Sequence, residues 1–152
     1  MKSIVRVGLA VACTLSLASG ALAQEGPQTP EKAAESAVQT RQGLFKLMAY
    51  NMAPLGAMAR NRQPFDAAVA QKSAMRLQKL APMITDLFET DTRQFKNIKT
   101  EAKEGIWASK ADFNSKTQDL IKATEALVEA AKTGDKSATI KATGAVGKAC
   151  GA

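Results

Sequence analysis

The chain has 152 residues and a formal net charge of +7, with 5% aromatic residues, two cysteines and no histidine. Without imidazole there is no conventional hydrolytic triad, no histidine general base and no zinc-finger or metzincin ligand set, and no glycine-rich phosphate loop stands in their place. The bases are scattered (Lys72, Arg76 and Lys79; Lys96, Lys99 and Lys103) and the aromatics few, which argues against nucleic acid and for a non-enzymatic protein favouring acidic partners.

Residues 1–23 have the anatomy of a cleaved secretory signal peptide. Lys2 and Arg6 precede an apolar run from Val7 to Leu17, and Ala21-Leu22-Ala23 places small residues before a cleavage site at Gln24. The run is too short for a membrane span, and no later segment resembles one. Residues 24–152 then form one exported domain, in which Cys150 has no partner because Cys13 leaves with the leader.

The exported part reads as helical throughout, with no alternating strand pattern. Thr29 caps a first helix with Pro30 at its first position, and Leu44, Leu47, Met48, Met52 and Leu55 recur along it; Pro54 is expected to kink or loosen its end. A second helix starts near Asp66 and carries Val69, Leu77, Leu80, Ile84 and Leu87, with Pro82 bending or ending it and Pro82 to Phe88 expected to be irregular. A long polar connection, Glu89 to about Ser109, contains Trp107 near its end. Ser109 and Asp112 form a capping-box pattern before the stripe Phe113, Thr117, Leu120, Ile121, Thr124, Leu127, Val128 and Ala131. Gly134 ends that helix and Asp135 caps a last one, on which Ala138, Ala142, Ala145 and Ala149 line one face. Two short connections and one long one predict an all-α, antiparallel four-helix bundle.

An unpaired cysteine in an oxidising compartment is an intermolecular bridge, an accident or an attachment point. The segment from Glu104 to Cys150 resembles the C-terminal half of the cytochrome c prime family, the class II c-type cytochromes; Arg41 to Met58 is similar to that family's first helix and Pro64 to Ala68 to the opening of its second. The resemblance covers most of the exported chain, in order. It implies haem c, held by a Cys-x-x-Cys-His motif of which Cys150 is the first thioether cysteine and Gly151 and Ala152 the spacers, with the second cysteine and the axial histidine expected just beyond Ala152. It further implies that Arg41 binds a haem propionate, that Phe45 covers the distal face, and that Trp107 packs at the haem edge. Met48 and Met52 are expected to be core, and Tyr50 and Lys148 are the remaining candidates for an oxygen or nitrogen ligand. The function implied is binding of NO or CO at a high-spin haem, one-electron exchange with periplasmic redox proteins, or both, in a homodimer formed through the first two helices. Taken without the resemblance, the chain is a haem-free exported bundle acting as a binding or structural module, or a decayed cytochrome.

Overall fold

The computed structural model of the chain describes residues 29–152; the leader expected at 1–23, with Cys13, lies outside the described residues. Among these there are six helices and no strand: α1 Pro30–Ala59, α2 Ala67–Leu80, α3 Met83–Leu87, α4 Gly105–Ala108, α5 Lys110–Lys132 and α6 Lys136–Cys150. The four long helices form a closed ring of neighbours, α1 on α2, α2 on α5, α5 on α6 and α6 on α1. Short links after α1 and α5 turn the chain back on itself, so the bundle is antiparallel. None of these helices is long and apolar enough to cross a membrane.

Three of the bundle helices start on a side-chain cap. Thr29 Oγ1 accepts from Lys32 N at 3.3 Å, Asp66 Oδ1 from Val69 N at 2.9 Å, and Asp135 Oδ1 from Ala138 N at 2.8 Å, each satisfying a donor that the first turn leaves unpaired. Gly134 takes φ +72° between α5 and α6, a backbone that a side chain would strain. The capping box expected at the start of α5 does not form: Ser109 makes no side-chain cap, and Asp112 instead pairs with Lys116 at 3.1 Å. The four-residue α4 immediately precedes Ser109, and the Ser109 carbonyl accepts from Phe113 N at 3.1 Å, so α5 is fed from a preceding turn.

On α1 the buried residues are Ala34, Val38, Arg41, Leu44, Met48, Asn51, Leu55 and Met58, spaced in three- and four-residue steps as a bundle seam requires. Leu47 falls off this stripe and is exposed. The helix runs through Pro54 to Ala59; Pro54 removes the donor that the Tyr50 carbonyl would use. On α2 the core face is Ala70, Ser73, Ala74 and Leu77. Val69, expected in the core, is 37% exposed, because the stripe set by Ala70 and Ala74 turns its neighbour outward. Pro82 starts α3, so Met83 to Leu87 is a short helix where irregular chain was expected; proline lacks only a donor that a helix start leaves unused.

The inward face of α6 also differs from expectation. Thr139, Thr143 and Val146 are buried, Ala142 and Ala149 are half-buried, and Ala138 and Ala145 face solvent. Threonine can occupy that seam because its hydroxyl is satisfied one turn back: Thr139 Oγ1 donates to the Asp135 carbonyl at 2.7 Å and Thr143 Oγ1 to the Thr139 carbonyl at 2.8 Å. Thr117 and Thr124 of α5 do the same at 3.0 and 2.7 Å. The methyl groups are then free to pack with Leu55, Leu77, Leu127 and Val146, which are fully buried.

Candidate functional site

One end of the bundle is not filled. A cavity of ≈ 780 Å³ opens there between α1, α5 and the last turn of α6, its walls including Phe45, Met48, Met52, Phe113, Leu120 and Cys150. Small residues on α6 create the space. A Cβ built on Gly147 would meet nothing within 4 Å, and Ala149 presents only a methyl. The walls are largely apolar, with Lys103, Lys116 and Asp112 as the charged members of the lining. Size and character are those of a cofactor or small-molecule site.

Cys150 is a free cysteine of the described residues, and its thiol lies on this cavity while reaching solvent. Partial burial pushes the thiol above its ordinary value, because a thiolate there would lose hydration without gaining a cation. Phe45 lines the same cavity from α1 and is 45% exposed, so the structure brings these two expected site residues together. Met48 and Met52 also line it, Met48 as a buried core residue and Met52 half-buried. Tyr50 lines a separate groove of ≈ 650 Å³ between α1 and α2, with Leu47 and Met75, away from the thiol.

Arg41 and Trp107 stand behind the cavity wall. Arg41 is 3% exposed, and its guanidinium is held by chain far away in sequence. Nε donates to the Leu87 carbonyl at 2.7 Å, Nη1 to Thr92 Oγ1 at 3.0 Å, and Nη2 to the Thr90 carbonyl. The plane lies over the Phe88 ring, 4.7 Å to its centroid, and 5.3 Å from that of Trp107. Burial lowers the Arg41 pKa, which Asp91 partly opposes, and the group stays charged. Trp107 Nε1 and Lys110 Nζ both donate to the Phe88 carbonyl at 3.0 Å. The Phe88 ring meets Phe45 at 6.3 Å, Trp107 at 6.0 Å and Phe113 at 5.0 Å between centroids. The sequence reading missed Phe88, Thr90 and Thr92, since they lie in or beside non-periodic chain and no local spacing marks them.

The cavity's fit to haem can be judged from its own atoms. Its apolar walls suit a planar macrocycle, its rim carries one thiol able to form a thioether, and the space over Gly147 lies beside that thiol. No group of three or more histidine, cysteine or carboxylate side chains among the described residues could hold a bare metal ion. An antiparallel four-helix bundle with a thiol-rimmed apolar cavity at the end of its last helix is the architecture of a class II c-type haem protein. The chain belongs to the cytochrome c′ family, whose model matches residues 36–152. It is 36% identical over 144 residues to cytochrome c-554 of Cereibacter sphaeroides, covering 93% of this chain and 90% of the relative. Its fold matches the solved cytochrome c′ of Rubrivivax gelatinosus with a TM-score of 0.71 at 32% identity, over 77% of this chain and 90% of the other. A variant of cytochrome c prime from Alcaligenes xylosoxidans, solved as its nitric oxide complex, matches with a TM-score of 0.68 at 28% identity, over 77% and 89%. The family is one of c-type haem proteins that carry covalently bound haem c.

Proposed function

We propose that this chain is an exported, periplasmic haem protein that binds a small gas, NO or CO, exchanges single electrons with other redox proteins, or does both. The observation that carries the reading is the placement of Cys150 and Phe45 on one apolar cavity. Haem bound there would supply one-electron redox chemistry and a binding site for a diatomic ligand. Cys150 would tether the haem through a thioether at the rim of the cavity. Phe45 presents a ring with no donor or acceptor, which keeps water and protein ligands from the open side while leaving room for a gas. Arg41 retains two N–H groups beyond its three bonds, and one of them serves a propionate at the edge of the cavity. Trp107 packs at the same edge. Lys103 and Lys116 on the cavity lining favour an acidic redox partner.

The chain acts as a homodimer in this reading. Leu47, Tyr50 and Met75 are exposed along the α1–α2 groove, with Tyr50 69% exposed, an apolar surface that a second copy would cover. Mass spectrometry of the peptide that carries Cys150 tests the attachment. The expected result is a peptide heavier by one haem, lost in a Cys150→Ala chain; an unmodified peptide from protein matured alongside a haem-loaded control cytochrome would refute it.

A further inference from the structure

We propose that Arg41 is a positioning residue for the open side of the cavity: by latching residues 87–92 it holds Phe88 against Phe45 and fixes how far that ring closes the site. The effect on gas entry rests on the functional reading above; the latch itself does not. The short α3 ends at Leu87, leaving carbonyls that its own helix cannot satisfy. Arg41 donates to the Leu87 carbonyl, and Trp107 and Lys110 to the Phe88 carbonyl, so the backbone on both sides of the Phe88 side chain is anchored from outside α3. The two further bonds from Arg41, to Thr90 and Thr92, draw the next turn of chain against α1. The Phe88 ring between them is buried and touches Phe45 and Phe113, both on the cavity. Arg41 also lies one helical turn before Phe45 on α1, so one face of one helix carries the latch and the ring it positions. An ammonium could not replace the planar fork, because its three donors radiate from one nitrogen, whereas the three acceptors here are met by Nε, Nη1 and Nη2 spread along the guanidinium edge.

The test uses the haem-loaded full chain and reads CO association with the ferrous form after flash photolysis. Arg41→Met and the milder Thr92→Val, which removes one acceptor, are expected to speed association, and Arg41→Lys is expected not to restore the original rate. In a Phe45→Ala background, Arg41→Met is expected to change nothing further, since the latch acts through that ring. Equal acceleration in both backgrounds would overturn the proposal, as would an original rate restored by Arg41→Lys. A second arm needs no haem: exchange of the Phe88 and Glu89 amides should rise about tenfold or more in Thr92→Val, with faster flipping of the Phe45 ring. Unchanged exchange and ring flipping overturn the latch. A colourless protein contradicts the functional reading alone, and this second arm then decides the latch.

Discussion

Arg41 and Cys150 are the two side chains whose chemistry is most changed by where they sit. A buried guanidinium is tolerated here because three of its N–H groups are bonded, to two carbonyls and a hydroxyl, and two aromatic rings lie beside it. Truncation removes donors from buried acceptors, so Arg41→Ala is expected to lower unfolding free energy by about 3 kcal/mol in urea titrations. A loss below about 1 kcal/mol would mean that the network is not formed in solution. Cys150 makes the opposite kind of prediction. Its raised pKa favours the protonated thiol in the folded chain, so less thiolate exists at any pH near neutrality than for a free cysteine. In haem-free protein, iodoacetamide should therefore react more slowly than with the same chain in denaturant, and the midpoint of the rate against pH should lie higher when folded. A folded midpoint at or below the unfolded one contradicts the burial of the thiol.

At the level of elements, α6 ends at Cys150, the proposed attachment point, so its stability bears on the site. Its cap is a single carboxylate, Asp135, so Asp135→Ala is expected to cost about 1 kcal/mol and to fray the helix from its first turn. Calorimetry of the folded chain reads this, and an unchanged melting temperature would show the cap to be redundant. Much of this architecture was legible beforehand: the caps at Thr29 and Asp135, the helix start near Asp66, the stop at Gly134 and the stripe of α5 are local signals. Two misreadings share one cause. Treating α6 as an alanine face undervalued Thr139 and Thr143, whose polarity is cancelled by a back-bond that only a formed helix provides. Placing Val69 in the core weighed its hydrophobicity above its register relative to Ala70 and Ala74. At the site, the family resemblance pointed to Phe45 and Cys150, which line one cavity. The Arg41 latch was not legible, because its acceptors lie about fifty residues away in chain without periodicity.

The whole molecule is a bundle packed at its centre and open at one end. Leu127, fully buried on α5, is expected to lose about 2–5 kcal/mol on replacement by alanine, since the surrounding helices cannot collapse into the gap. On the outer surface, Leu47→Asp combined with Met75→Asp should convert a dimer to a monomer in sedimentation velocity without unfolding it, because both side chains are already exposed. A dimer that survives both charges would place the interface elsewhere. The open end remains the centre of the account, since a cavity of ≈ 780 Å³ deprives its lining of packing partners unless something fills it. The most direct measurement is the absorbance spectrum of protein purified from an oxidising compartment with haem-attachment machinery, before and after acid–acetone extraction. Covalent attachment through Cys150 predicts a Soret band that stays with the protein; a folded, colourless protein, or a band that leaves with the solvent, would contradict it.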